Sequence, residues 1–190
     1  MKEYSKSIEL YGDGIGHVDY INHMGTDLTV VNSARVSFGV EKKELDERDK
    51  KLIKYLIKQR HTSTLEHCNI AFRFAVPLYV RSQHHRHRTW SYNEISRRYT
   101  DVDIKFYQPR AFRTQHKSNR QASNADELIN PFLHDGQFED DDTCANFVKK
   151  HHQSCLAFYN NLINAGVCRE QARGVLPQNM YTEYYGTANL

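Results

Sequence analysis

The sequence has 190 residues and a mass of 22.3 kDa, a length typical of one domain. Apolar residues make up 39% and aromatic residues 12%, so the composition supports a sizeable core and excludes a wholly disordered chain. The net charge of +3 is too small to indicate nucleic-acid binding by itself. No apolar run approaches the roughly 18 residues of a membrane-spanning helix.

The N-terminal residues and the cysteines both bear on the location of the protein. Residues 1–6 lead into no apolar region of the kind that a secretory signal needs. The four cysteines show no C-x-x-C spacing, which disfavours a disulfide scaffold or a four-cysteine zinc site. They are Cys68, Cys144, Cys155 and Cys168. We therefore expect a reducing environment and a cytoplasmic location.

In chain order, the first predicted element is a short strand at 7–11. The glycines between Gly12 and Gly16 follow it with G-x-G-x-G spacing. No clear amphipathic helix opens on this segment, so it lacks the structural context of a dinucleotide-binding loop. We interpret it as a turn.

Two helices and a strand follow. The first helix is predicted at 27–36 with Asp27 as its cap, and the second at 46–60 with Asp46 as its cap and an apolar stripe along one side. After a polar connection, every second residue from Ile70 to Val76 is large and apolar, which predicts a half-buried strand that ends at Pro77.

The second half of the chain predicts helices with less regular segments between them. The helices are expected at 78–88, at 142–165 with Gly166 after its end, and at 168–175. The segment 89–100 reads as an irregular connection, 102–107 as a strand, and 108–141 as a long loop. The tail that begins at Asn179 reads as the start of a strand. Together these elements predict an α+β fold with helices packed on a sheet.

Residues 81–100 carry the most informative pattern in the chain. The segment holds five Arg, three His and one Glu, so its formal charge is +4 while the rest of the chain sums to −1. Arginine forks can hold phosphate through two bonds, and Trp90, Tyr92 and Tyr99 offer flat faces for a ring. The pattern suggests a pocket for an anionic ligand that carries a heterocycle. Two alternatives remain open, a basic surface over buried aromatic residues and a site for single-stranded nucleic acid.

The stretch from Arg86 to Tyr99 resembles the signature R-H-R-x-x-S-x-N-E-x-S-x-R-Y of the flavin-dependent thymidylate synthases (ThyX), with nine fixed residue types over fourteen positions. Three other stretches are similar to the same family, so the resemblance extends over nearly the whole chain. They are residues 32–38 (NSARVSF), 61–67 (HTSTLEH) and 172–177 (ARGVLP).

The resemblance implies a helix-flanked sheet that binds flavin without a Rossmann loop, in a homotetramer with FAD between subunits. The implied reaction is the reductive methylation of dUMP to dTMP. Methylenetetrahydrofolate would give the carbon, and NADPH-reduced FAD would give the hydride. A membrane or nucleic-acid partner is not expected.

The resemblance also implies roles for individual residues. His61 resembles the histidine near the flavin ring, Ser96 is interpreted as a substrate-positioning hydroxyl, and Arg173 is similar to a later dUMP-binding arginine; these three are the catalytic candidates. The implied flavin contacts are Ser63, Arg86, His87, Arg88, Glu94 and Asn189, with Ser63 and Glu94 from a neighbouring subunit. The implied dUMP site comprises Gln83, His84, His85, Arg86, Glu94, Ile95, Ser96, Arg97, Arg98 and Arg173. Arg97 stands where family members commonly have a small residue.

Several expectations accompany this hypothesis. The neighbouring histidines His84, His85 and His87 are not expected to bind metal, because no cysteine or aspartate lies at ligand spacing. His151 and His152 are expected on the solvated side of their helix. We expect one catalytic domain that lacks the family's C-terminal portion, and therefore weak or no activity of this chain alone. The alternatives are a noncatalytic module that binds nucleotides or single-stranded nucleic acid, and one half of a split enzyme.

Overall fold

The computed structural model describes residues 6–100, 103–134 and 142–190. Its strands, in chain order, are β1 (Ser7–Glu9), β2 (His17–Met24), β3 (Asn69–Pro77), β4 (Ser91–Glu94), β5 (Phe112–Gln115), β6 (Ser123–Ile129), β7 (Phe132–Leu133), β8 (Asp142–Thr143) and β9 (Tyr181–Asn189). Its helices are α1 (Asp27–Arg35), α2 (Glu47–Lys58), α3 (Leu78–His84), α4 (Cys144–Asn164) and α5 (Arg169–Ala172). Among the described residues, no helix combines the length and apolar character needed to cross a membrane.

The chain forms two compact units. The first contains the described residues up to Val76 together with 80–95 and 182–190. The second contains 77–79 and the described residues from 96 to 181. Sheet and helices occur together, so the prediction of the α+β class is confirmed.

A five-stranded sheet in the order β1-β2-β3-β9-β4 dominates the first unit. The β1/β2, β2/β3 and β4/β9 pairs are antiparallel, and Tyr92 lies opposite Gly186 in the last of them. The C-terminal segment predicted as the start of a strand is thus an internal strand of the sheet. Helices α1 and α2 build a separate apolar cluster around Val30, Leu56 and Cys68.

The caps of α1 and α2 explain where these two helices begin. Asp46 caps α2 as predicted, because its side chain accepts hydrogen bonds from the backbone N–H groups of Arg48 and Asp49. The cap of α1 differs from the prediction: it is Thr26, whose N–H donates to Thr29 Oγ1 over 3.1 Å, and Asp27 lies in the first turn instead. An aspartate in the first turn still complements the helix dipole.

The second unit is built around α4 and α5. Its core contains Tyr159, Ala172, Leu176 and Met180. Helix α4 ends with Gly166 at φ +87°, where the N–H groups of Gly166 and Val167 donate to the carbonyls of Ile163 and Leu162. This is the left-handed helix end that favours glycine, as the sequence predicted. Helix α5 continues into a 3-10 turn at Arg173–Val175, within the predicted helix at 168–175.

The structure corrects several predicted elements. The strand predicted at 102–107 is wrong over its described part, where a single bridge joins Phe106 to Met180; residues 101 and 102 lie outside the described residues. The segment 89–100 contains β4, and the loop predicted at 108–141 contains the β5–β6 hairpin and β7. Residues 135–141 of that predicted loop lie outside the described residues.

Two further predictions fail at the level of helix length and exposure. Helix α3 ends at His84, four residues earlier than predicted at 88. His152 is only 2% exposed and stacks on Phe106 with ring centroids 4.9 Å apart, so it does not lie on a solvated face. His151 is exposed, as expected.

Candidate functional site

A cleft of about 510 Å³ lies in the first unit between α1, α2 and the turn that follows α2. This volume is in the range of small-molecule sites. Aromatic and aliphatic side chains line it together with hydroxyls and one imidazole: Ser33, Ala34, Arg35, Phe38, Leu52, Tyr55, Leu56, His61, Ser63 and Thr64. The fold therefore brings together two of the stretches that carry the family resemblance, 32–38 and 61–67.

Local hydrogen bonds fix the turn that carries His61 and Ser63. The 3-10 turn Thr62–Thr64 is closed by the N–H of Leu65, which donates to Thr62 O over 2.8 Å. Thr64 Oγ1 donates to His61 O over 3.0 Å, and Ser33 Oγ reaches across from α1 to donate to Thr64 O over 3.3 Å. These hydrogen bonds therefore hold the turn that carries His61 and Ser63, and both side chains are exposed at the cleft.

Arg35 places a positive charge at the cleft wall, and the carboxylate of Asp49 balances this charge. Its Nη2 lies 2.7 Å from Oδ1 of the fully buried Asp49. The ammonium of Lys42 contacts the other oxygen of Asp49. The hydrogen bond from Lys42, together with that from Arg35, holds the pKa of Asp49 well below its ordinary value, so Asp49 remains a carboxylate.

The R-H-R turn lies directly after α3 in the same unit. The side chains of Arg86, His87 and Arg88 are all exposed. Within the part of the chain that the structure describes, neither guanidinium forms a hydrogen bond or an ion pair. Gln83 is exposed as well, and its carbonyl accepts the N–H of Arg86 over 3.1 Å. The turn therefore presents two uncommitted cations to solvent, as an anion-binding surface requires.

An aromatic cluster stands behind this turn. His84 Nδ1 lies 2.8 Å from the hydroxyl of Tyr184, and its ring lies 4.8 Å from the rings of both Phe74 and Trp90. Burial lowers the pKa of His84, which favours the neutral imidazole. The ring of His84 is therefore occupied by neighbours within this chain, although the resemblance implies a dUMP contact.

The flat faces predicted for ligand stacking are largely used inside the protein. Trp90 and Tyr92 lie parallel with an interplanar angle of 9°, and His85 stacks on Tyr92 with centroids 3.9 Å apart. Tyr99, in contrast, is 79% exposed. Of the three aromatic residues that the sequence suggested as platforms, Tyr99 keeps the most accessible ring.

Glu94 is held between two partners that the sequence did not reveal. Arg81 donates to both of its oxygens, from Nε over 2.9 Å and from Nη2 over 2.8 Å. The hydroxyl of Thr182 on β9 donates to Oε1 over 2.6 Å. Next to Glu94, Ile95 is exposed and its N–H donates to Glu183 O. Asn189, near the end of β9, is also exposed.

The remaining predicted residues belong to the second unit. Arg98 Nε lies 3.9 Å from the carboxylate of Glu170, and Arg173 Nε donates to the carbonyl of the same residue over 3.3 Å. Both arginines are exposed and approach each other at Glu170. Ser96 is half-buried, and its Oγ accepts the N–H of Arg98. Arg97 is 9% exposed, so its guanidinium is not displayed at the surface with the other cations.

Comparison with known proteins identifies the family. The chain matches the family model described as thymidylate synthase complementing protein over residues 19–190. A flavin-dependent thymidylate synthase of Thermus thermophilus is 41% identical over 175 residues, which cover 92% of this chain and 60% of that relative. The corresponding enzyme of Thermotoga neapolitana is 36% identical over 174 residues, which cover 92% of this chain and 71% of the relative.

A solved structure gives the same result for the fold. The UMP/dUMP methylase PolB from Streptomyces cacaoi, bound with 5-Br dUMP, superposes with a TM-score of 0.74 and 32% identity. The match covers 96% of this chain and 76% of PolB. Against the Thermus relative, this chain spans about 60% of the length. The match of the family model to nearly the whole sequence shows that the chain belongs to the flavin-dependent thymidylate synthase family.

Proposed function

We propose that this protein is a flavin-dependent thymidylate synthase that methylates dUMP reductively to dTMP. Methylenetetrahydrofolate would supply the carbon, and NADPH would supply the two electrons that reduce the transferred methylene group to a methyl group, with tetrahydrofolate and NADP⁺ as the other products. The observation that carries the proposal is the cleft, which joins two stretches of family resemblance in a chain that belongs to the family.

The chemistry of the cleft suits a flavin. A cleft of about 510 Å³ can hold the ring system or the adenosine part of FAD, with the rest of the molecule outside it. Phe38, Tyr55 and Leu52 provide apolar and aromatic contacts, and Ser63 and His61 provide hydrogen-bonding groups. When bound, FAD supplies the hydride-transfer chemistry, and the protein supplies binding and orientation.

The cations of the R-H-R turn are assigned to the flavin. Arg86 and Arg88 are exposed guanidinium groups that match the charge of a pyrophosphate, and His87 lies between them. Ser63 and Asn189 are further proposed flavin contacts. Glu94 is also a proposed flavin contact. Its ion pair with Arg81 gives it a second role, which is to hold the backbone around it in place.

The nucleotide substrate is assigned to two sets of residues. In the second unit, Arg98 and Arg173 approach each other at Glu170 and offer two guanidinium groups for a phosphate dianion. In the first unit, the proposed contacts are Gln83, Arg86, Glu94 and Ile95, with His84 and His85 behind them. Ser96 would position the substrate through its hydroxyl, and Arg97, being buried, would act from beneath the surface.

The protein's own contribution to catalysis is electrostatic and positional. Cations near the uracil ring would favour loss of its N3 proton, which raises electron density at C5. Holding substrate and cofactor side by side makes the transfer effectively unimolecular. His61 is proposed to orient the folate and nicotinamide co-substrates at the cleft. A serine nucleophile is not required.

The assembly and location are part of the same proposal. The resemblance implies a homotetramer with FAD at subunit interfaces, and the cysteine pattern favours a cytoplasmic location. The cysteines of the described residues are free thiols, which is compatible with a reducing compartment.

The first test is whether the purified chain holds a flavin that senses dUMP. We expect a yellow protein whose flavin absorbance shifts on addition of dUMP. Arg88→Ala should weaken FAD binding at least tenfold, since it removes a charge-assisted contact. Arg120→Ala, which removes an exposed arginine of the β5–β6 hairpin, serves as the matched control and should bind FAD like the native chain.

Two results would contradict the proposal. Absence of flavin affinity in the native chain, together with oligonucleotide binding that weakens steeply with salt, would favour a noncatalytic binding module. Equal flavin affinity in Arg88→Ala and Arg120→Ala would show that the R-H-R turn is not the flavin site.

A further inference from the structure

The tyrosine Tyr92, which the family signature leaves variable, lies where it can fix the shape of the R-H-R turn. Its hydroxyl is 3.0 Å from the carbonyl oxygen of His84 and 3.2 Å from that of His87. A single phenolic proton is thus shared between two carbonyls on either side of Arg86. These carbonyls also accept the backbone N–H groups of His87 and Trp90, so the hydroxyl shares an acceptor with each of these two backbone hydrogen bonds.

The side chain of Tyr92 is itself held from several directions. It stands on β4 opposite Gly186 of β9. His85 stacks on its ring at 3.9 Å, Trp90 lies parallel at 6.3 Å, and Tyr184 meets it edge-on at 5.9 Å. Burial raises the pKa of Tyr92, so the hydroxyl keeps its proton and remains a donor at neutral pH.

The exposed side chains of Arg86 and Arg88, in contrast, have few contacts that could orient them. Arg86 and Arg88 form no hydrogen bond or ion pair with side chains of the described ranges 6–100, 103–134 and 142–190. Their direction is therefore set by the backbone from which they project. A backbone held at two carbonyls fixes the positions from which the two arginine side chains project before an anion arrives, which reduces the backbone entropy lost on binding.

We propose that Tyr92 is a positioning residue, which preorganises Arg86, His87 and Arg88 by holding the His84 and His87 carbonyls. This inference rests on the proposed function, because it assumes that the turn binds the flavin. It adds a residue to the site that acts through the backbone and does not itself touch the cofactor.

The test compares two variants that each remove one phenolic hydroxyl from the same aromatic cluster. Tyr92→Phe keeps the ring and its stacking but releases both carbonyls. Tyr184→Phe is the matched control, because its hydroxyl contacts the His84 imidazole and not the turn carbonyls. We expect Tyr92→Phe to weaken FAD binding about tenfold and Tyr184→Phe to weaken it less than about threefold, since a hydrogen bond of this kind contributes modestly to stability.

Two readouts separate positioning from general stability. Thermal melting should show similar losses in the two variants. Amide hydrogen exchange at His87 and Trp90 should accelerate at least tenfold in Tyr92→Phe and remain near native in Tyr184→Phe. At saturating FAD, the flavin absorbance shift that dUMP produces in Tyr92→Phe should approach that of the native protein, because the defect lies in FAD binding.

The outcomes also distinguish this inference from the proposed function. If the native chain binds no FAD, the proposed function fails, while the exchange measurement still decides whether Tyr92 holds the turn. Equal exchange at His87 and Trp90 in both variants would overturn the inference, as would equal FAD affinities.

Discussion

Asp49 is a fully buried carboxylate on α2, and three donors satisfy it. Arg35 and Lys42 contribute charge, and the backbone N–H of Asp46 donates to Oδ2 over 3.0 Å. This arrangement ties α1, α2 and the segment between them together beneath the proposed flavin cleft. A carboxylate of this kind tolerates neither loss of its charge nor loss of its partners.

Replacing Asp49 by Asn should therefore lower the melting temperature by roughly 10 °C, because Arg35 and Lys42 both lose their counter-charge. Glu47→Gln is the control on the same helix: its ion pair with Lys50 is exposed, and its loss should change the melting temperature by less than about 2 °C. Calorimetry of the two variants measures the difference. Similar melting temperatures would show that burial of Asp49 contributes little.

At the residue scale, the sequence predicted the residues of the candidate site but not the supports of Glu94 and His84. The R-H-R turn is contiguous, so its pattern is visible in one stretch. The supports come from elsewhere: Arg81 and Thr182 bind Glu94 from 13 and 88 positions away, and Tyr184 meets His84 from 100 positions away. Pairings over such separations are created by the register of β4 and β9, which local spacing does not encode.

At the element scale, β4 and β9 fit together because Gly186 has no side chain. A Cβ at this position would lie 3.0 Å from Phe74 Cε2 and 3.2 Å from Trp90 Cε3. Both rings would have to shift, although they also contact His84. The packing of the aromatic cluster on the sheet thus depends on one missing methyl group.

Gly186→Ala should accordingly destabilise the protein by about 1–2 kcal/mol, since inserting a methyl group into a packed contact forces neighbouring rings to move. Trp90→Leu, which makes room, should reduce the cost of Gly186→Ala when the two are combined. A double-mutant cycle from urea denaturation measures this coupling. Strictly additive effects would mean that the cluster accommodates the methyl group elsewhere.

The elements that the sequence predicted best are those whose signal is local. Helix α2 has its cap, stripe and length in one segment, and α4 ends at a glycine with positive φ. Two of the strands that were not predicted are β2, in which polar residues are interspersed, and β4, a four-residue edge strand. A short polar edge strand is fixed by its partner, and β9 lies about 90 residues further along the chain.

At the scale of the whole molecule, one buried and two half-buried histidines make stability depend on pH. Burial lowers the pKa of His84, His85 and His152 below the ordinary value of 6.5. The unfolded chain therefore takes up protons at these residues before the folded protein does. The stability they contribute is complete above pH 6.5 and is lost as the pH falls toward the lower folded values.

We expect the melting temperature to fall by several degrees between pH 7 and pH 5, before the carboxylate of Asp49 protonates at still lower pH. His152→Gln should flatten this dependence, because it removes one of the three groups, whereas the exposed His116→Gln should leave it unchanged. Fluorimetric melting across pH 5–8 provides the measurement. An identical pH profile in native protein and His152→Gln would contradict the assignment.

The path of the chain through the two units has a consequence for the order of assembly. Residues 96–181 leave the first unit after β4 and return to it at β9, which must then insert between β3 and β4. Bringing distant segments together costs loop-closure entropy that grows with the length of free chain between them. If residues 96–181 fold first, β4 and β9 are already held close together. Strand β9 then pairs with β3 and β4 at a lower entropic cost. The five-stranded sheet is then completed late in folding. Its rate of completion depends on the collapse of a region whose own strands lie outside that sheet.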